Sequence, residues 1–232
     1  MLENNERLIR RQLRSPRAAA IAGILFSVLL MTSMILFRNI GVVAPADINK
    51  DWLARSASSA SLALSLVPFA GIAFLWFTGV IRDRLGDQED KLFATVFLGS
   101  GLIFVALLFV WAATLGAIFG SYTAAADRLI DDDVYIFGVT FMNEIIGNYT
   151  LRMAGVYMLS IGSLWARAGV MPRWLTIITT IVALGFLFFA GSIREARYIF
   201  PGWVFLISVY ILVLNYRRTH HPDNKDALSG DD

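Results

Sequence analysis

The chain has 232 residues, of which 57% are hydrophobic and only 16% charged, whereas about a quarter of the residues in an ordinary soluble domain are charged. The formal net charge is only +2 and the mean hydropathy is +0.63; the charges gather in short islands between apolar runs of about 20 residues, the length a helix needs to cross ~30 Å of hydrocarbon. The absence of cysteine excludes disulfides, thiolate metal sites, iron–sulfur clusters and a cysteine nucleophile.

A strand leaves its backbone groups unpaired in lipid unless a barrel closes, and these runs lack the two-residue alternation of barrel strands. The sequence therefore predicts an all-α integral membrane bundle of about six transmembrane helices. Residues 18–216 form that domain, preceded by a basic segment (1–17) and followed by a polar tail (217–232) expected to be disordered beyond its first turn.

In chain order, the first segment carries Arg7, Arg10, Arg11, Arg14 and Arg17, with Leu2, Ile9 and Leu13 at helical spacing. That pattern predicts an amphipathic helix on the inner membrane surface, its arginines meeting anionic lipid headgroups. Its position against a membrane span argues against a nucleic-acid arm. The first span is 18–37, longer than the apolar core of a cleaved signal peptide. In the polar loop that follows, Asp47 to Arg55 is expected to form a turn or two of surface helix. The second span is 61–81, and Pro68 within it predicts a kink near Leu64.

After the charged loop 82–91, the third span covers 92–120. Gly116 and Gly120 make a small-xxx-small pair near its end. The stretch 134–167 is long enough for a span plus an outer helical extension and is interrupted by Asn143, Glu144, Asn148 and Arg152, which places the fourth span near 147–166. The fifth (174–192) and sixth (199–216) are joined by a few residues and are expected to pack as an antiparallel hairpin. Pro201 falls in the first turn of the last helix, where its missing N–H is harmless.

Basic residues set the orientation. With the N-terminus inside, the inner segments hold thirteen Lys and Arg: the five N-terminal arginines, Arg82, Arg84, Lys91, Arg167, Arg173, Arg217, Arg218 and Lys225. The outer segments hold six: Arg38, Lys50, Arg55, Arg128, Arg194 and Arg197. The positive-inside rule then predicts that both termini are cytoplasmic. Trp76, Trp165 and Trp174 fall at the expected inner interface, and Trp111 and Trp203 toward the outer one. The two halves show no repeat, which argues against an inverted-repeat transporter.

Two blocks carry a resemblance. The first is Val67-Pro-Phe-Ala-Gly-Ile-Ala-Phe-Leu-Trp-Phe77, leading into Arg82-Asp-Arg-Leu-Gly86 and Phe93-Ala-Thr-Val-Phe-Leu-Gly-Ser-Gly101. The second is Leu151-Arg-Met-Ala-Gly-Val-Tyr-Met-Leu-Ser160, followed by Arg167-Ala-Gly-Val-Met-Pro-Arg-Trp174. Together they resemble a group of uncharacterised, chiefly actinobacterial membrane proteins. The resemblance implies a bacterial plasma membrane and a six-helix fold, and brings no activity, ligand or catalytic residue.

The candidate chemistry centres on Glu144, Asn148 and Arg152, with Asn143 beside them. Steps of four residues put the three on one helix face. If the span begins near Gly147, Arg152 lies roughly 8–9 Å inside the outer boundary at 1.5 Å per residue. An ionisable group at that depth must pair, snorkel or line a wet cavity. One reading is a clamp, Arg152 holding Glu144 or a carbonyl. The other is an outward-facing pocket in which Arg152 binds an anion and Glu144 balances it.

Asp131, Asp132 and Asp133 point in different directions on a regular element, so they are expected to be solvated, with Asp133 capping the next helix. His220 and His221 lie in the tail, and no metal or cofactor is expected. The alternating charges of 82–91 suit an internally paired turn or a cytoplasmic docking loop. Asn148-Tyr-Thr150 matches a glycosylation sequon that a bacterial protein leaves idle. The aromatic residues suit packing and lipid contact better than a pigment or quinone pocket. These features favour a non-enzymatic membrane module that associates with itself or a partner. A small transporter, channel or ligand-binding protein built on the polar face is the alternative, and an embedded enzyme acting on lipid is the weakest of the three.

Overall fold

Uninterrupted apolar sequence with outward carbonyls bound only to their own helix is the form lipid permits, and every regular element of the described chain is a helix. A computed structural model describes residues 16–40, 50–85, 91–124, 132–168 and 171–220. The elements are α1 (Pro16–Ile40), α2 (Lys50–Leu85), α3 (Lys91–Ala124), α4 (Asp132–Glu144), α5 (Leu151–Ala168), α6 (Arg173–Phe189) and α7 (Ile199–His220). A π-helical turn, Ile145–Thr150, fuses α4 and α5 into one rod, and a 3₁₀ turn, Arg194–Tyr198, leads into α7. Six rods result among the described residues, in an all-α bundle.

Four of them are long and apolar enough to cross a membrane: Arg17–Arg38, Ser56–Asp83, Leu92–Ser121 and Glu195–Tyr216. The helix Arg173–Phe189 is apolar but shorter. Large apolar side chains cover the outside of the bundle, including Ile21, Phe69, Trp76, Ile181, Phe188 and Leu206. A water-soluble monomer rarely exposes such a continuous apolar surface. The molecule is a membrane-embedded helical protein.

Successive rods run antiparallel. Ser33 Oγ donates to the Ala63 carbonyl at 2.8 Å, which ties α1 to α2. Gly71 of α2 lies against Phe109 and Val105 of α3, and Gly101 of α3 against Tyr157 of α5. Gly155 and Gly162 of α5 lie against Ala183 and Thr179 of α6. Small residues at these crossings let backbones approach closely, the main source of helix association where lipid removes any hydrophobic preference. The chain closes on itself through α1 and α7: Gly23 faces Ser208 at one end, and Arg38 pairs with Glu195 at the other. The beginning of α1 and the end of α7 therefore lie at the same end of the bundle.

The core is aromatic. Phe26, Phe74, Phe97, Tyr157 and Phe200 are fully buried. Phe74 contacts Phe26 at 4.8 Å, Phe104 at 5.0 Å and Tyr157 at 5.0 Å between ring centroids. Phe97 stacks on Tyr157 at 4.7 Å, and Phe104 meets Phe200 at 4.7 Å. Five helices thus meet in one cluster of tilted rings, an arrangement each pair favours by ~0.5–1.5 kcal/mol beyond its buried area.

Several sequence expectations change. Residues 50–55 are the start of α2 rather than a separate surface helix, and α2 runs through Pro68 to Leu85. The fourth rod is helical throughout from Asp132 to Ala168, its polar residues interrupting the apolar run and not the backbone. It starts at Asp132, so Asp133 sits inside the first turn instead of capping it. The close backbone partner of α6 is α5; toward α7 its link is Trp203 Nε1 donating to Thr179 Oγ1 at 3.0 Å. Trp165 and Trp203, expected at opposite interfaces, lie 6.5 Å apart and buried. The indole N–H of Trp203 finds its acceptor inside the bundle, so interior packing overrides the interfacial preference of tryptophan. The segments 1–15 and 221–232, with the charged stretch 86–90, fall outside the described residues, as do the expectations placed on them.

Candidate functional site

Glu144 closes α4, Asn148 sits in the π-helical turn, and Arg152 is the second residue of α5. The backbone stays helical at both junctions, Glu144 at φ −64°, ψ −46° and Leu151 at φ −67°, ψ −36°. The turn widens the helix by one residue without breaking it. Such turns loosen the ladder of backbone hydrogen bonds and recur at functional positions. Thr150 Oγ1 donates to the Ile145 carbonyl, five residues back, at 2.8 Å. That bond supplements the widened turn from its buried side.

The three polar residues form a relay along the helix. Asn148 Nδ2 donates to Glu144 Oε2 at 2.5 Å. Arg152 Nη1 donates to Asn148 Oδ1 at 3.1 Å and to the Asn148 carbonyl at 3.3 Å. Arg152 Nε donates across to the Leu187 carbonyl of α6 at 3.3 Å. Leu187 is two residues from the end of α6, where carbonyls have no partner within their own helix. A guanidinium there satisfies one of them and meets the negative end of the α6 dipole.

This geometry bears on three expectations. The carboxylate of Glu144 and the guanidinium of Arg152 are joined through the Asn148 amide and make no direct ion pair. Asn143 is exposed and makes no hydrogen bond to the other three, because its position points away from their helix face. Arg152 lies level with the last turn of α6, whose Leu187 carbonyl it meets two residues before that helix ends at Phe189. It is half-buried, whereas Glu144 is exposed.

One member of the site was not singled out from the sequence. Gly191, at φ +83°, turns the chain just after α6, and a Cβ there would overlap the Asn148 amide group. Glycine is the residue that adopts this left-handed conformation without strain. Its signal was present, since a glycine directly after an apolar helical run is a common helix stop. What the sequence did not contain was the partner, the amide 43 positions earlier.

In the aromatic core, Thr78 Oγ1 and Tyr157 Oη are hydrogen-bonded at 3.1 Å in full burial. Elsewhere hydroxyls mostly bond to their own helix, as Ser27 does to the Gly23 carbonyl and Ser160 to the Val156 carbonyl, a local satisfaction that suits an apolar interior. Among the described residues no three His, Cys, Asp or Glu side chains come together as a metal site.

No family model matches the chain, and no curated protein or solved structure is significantly similar to it. The site must be read from its geometry.

Proposed function

We propose that this chain is a non-enzymatic module of a bacterial plasma membrane, with both termini cytoplasmic, that assembles with itself or with a membrane partner. One observation carries the reading: the polar cluster ties the bundle together. Arg152 holds the end of α6 to the π turn, and Glu144 and Asn148 orient that contact. The interior supports it too. Buried polar side chains among the described residues are serines and threonines, and the central level is filled by interlocked rings, so polar groups do not mark a path at several depths. The resemblance of 67–101 and 151–174 to actinobacterial membrane proteins supports the bacterial placement.

Purification from its native membrane in mild detergent tests the proposal. A stoichiometric protein partner or a defined homo-oligomer is the expected result. A monomer that acquires thermal stability only when a small anion is added would overturn it.

That second outcome belongs to the alternative, an outward-facing anion pocket, which one observation favours. The Nη2 group of Arg152 has no acceptor among the described residues and the residue is half-buried. On that reading, stabilisation by added carboxylate or phosphate is abolished in Arg152→Lys, because an ammonium cannot present a planar fork.

A further inference from the structure

Arginine presents its N–H donors in a rigid planar fork, and the bonds of Arg152 leave one edge of that fork open. Nε and Nη1 are spent on the Leu187 carbonyl, the Asn148 carbonyl and Asn148 Oδ1. All of these acceptors are neutral. Glu144, the carboxylate of the cluster, accepts from the Asn148 amide instead. The Nη2 group has no acceptor among the described residues. The guanidinium is thus held in a fixed orientation and half-buried, with no carboxylate among the described residues in contact to balance it.

The charge stands where polar groups begin at this end of the bundle. The exposed Arg38–Glu195 pair lies at the same end. Tyr149, one turn before Arg152 on its own rod, is exposed, and tyrosine gathers at headgroup level. On α6 the residue after Leu187 is Phe188, which heads an exposed apolar track through Leu184 to Ile181. Those positions share one helix face, and the track runs for about 10 Å at 1.5 Å per residue. Thr180 beside it gives its hydroxyl to the Thr176 carbonyl, so no polar group on this face lacks a partner within its own helix.

We infer that Arg152 holds the phosphate of a membrane phospholipid at Nη2, with an acyl chain lying along Phe188, Leu184 and Ile181. This deepens the open-anion reading given above, on which it rests, and leaves the contacts of Nε and Nη1 to the clamp. A guanidinium suits phosphate oxygens, and the order of head and tail matches an amphiphile with its charge at one end. A soluble anion would use Nη2 and leave the apolar track bare. A partner's Asp or Glu carboxylate would have to be carried to the membrane boundary, where an ionised side chain is costly. A phospholipid already keeps its phosphate at that level and its chains beside α6.

The test uses the full-length protein reconstituted in vesicles of equal phosphatidylglycerol and glucosyl-diacylglycerol with the same acyl chains. The protein is extracted in mild detergent and weighed with its retained lipid by native mass spectrometry. Phosphatidylglycerol is expected to be retained about tenfold over the glycolipid, the effect of one hydrogen bond to a charged group. Arg152→Gln should remove that preference. Because Arg152 also holds α6, a second variant leaves its bonds intact. Leu184→Ser combined with Phe188→Ser should lower phosphatidylglycerol retention about tenfold, with the unfolding midpoint as in the parent because both side chains are exposed. Leu62→Ser combined with Phe69→Ser on α2, also exposed, is the control with retention as in the parent. Equal retention of the two lipids, a preference that survives Arg152→Gln, or undiminished retention in the α6 variant would each overturn the inference. In material from the native membrane, a protein partner lost in Arg152→Gln, with no phospholipid bound, would overturn it as well. Inorganic phosphate that stabilises the protein through Arg152 as well as the lipid does would overturn it while the open-anion reading stands. If neither lipid nor phosphate acts through Arg152, both fall.

Discussion

Arg152 donates from Nε to α6 and from Nη1 to the π turn, so its removal leaves acceptors on two elements at once. Arg152→Ala should destabilise the bundle by about 1 kcal/mol, the low end of the range for stranding acceptors because these are half-buried, measured as reversible unfolding in mixed micelles. Arg152→Lys should recover less than half of that, since one ammonium cannot span both directions. Gly191→Ala acts on the same contact from the other side. It must hold alanine at φ +83° and displace the Asn148 amide, so a loss of about 1–3 kcal/mol is expected. If the two losses add fully when combined, the relay is not a unit; coupled residues show a shortfall from additivity.

At the scale of elements, glycines on the helix faces divide into two kinds. A Cβ on Gly155 would lie 2.9 Å from the Ala183 carbonyl oxygen and 3.1 Å from Phe186 Cβ, whereas one on Gly185 would meet nothing within 4 Å. Gly155→Ala must push α6 away from α5, an overpacking cost of about 1–3 kcal/mol that exceeds the ~1 kcal/mol gained in helix propensity. Gly185→Ala keeps only the gain. The pair should shift the unfolding midpoint in opposite directions, and equal shifts would mean that α5 and α6 are not in this register. The same argument explains the small-xxx-small pair expected on α3. Gly116 faces Leu64 of α2, while Gly120 faces open space, so only one of the two belongs to an internal helix contact.

For the whole molecule, the shared end of α1 and α7 makes the orientation a single binary choice. Reporters fused to residues 1 and 232 should both be active only on the cytoplasmic side, in keeping with the excess of basic residues there. A signal of opposite sense at the two termini would contradict the even number of crossings, and external signals at both would reverse the orientation. The exposed Arg38–Glu195 pair at the other end, with side chains 65% and 57% accessible, adds little to this frame. An exposed pair of that kind is worth ~0–1 kcal/mol.

The sequence by itself determined the class and the rods. Runs such as 18–37 and 92–120 are so apolar that helix is the only form able to satisfy their backbone in lipid, and the charged islands mark the ends of these two within a few residues, whereas α2 begins at Lys50, well before the expected 61. It also placed Glu144, Asn148 and Arg152 on one face, because four-residue spacing has that meaning in a helix. Tertiary structure alone decided what the face does. Which level of α6 Arg152 meets depends on where that helix ends, and whether it pairs with Glu144 or a carbonyl depends on the Leu187 carbonyl 35 positions away. Trp203 turned inward for the same kind of reason, the Thr179 hydroxyl being its acceptor. Periodicity along one chain reports a residue's direction from its own helix axis. The acceptor or ring that meets it comes from another helix, and only packing brings the two together.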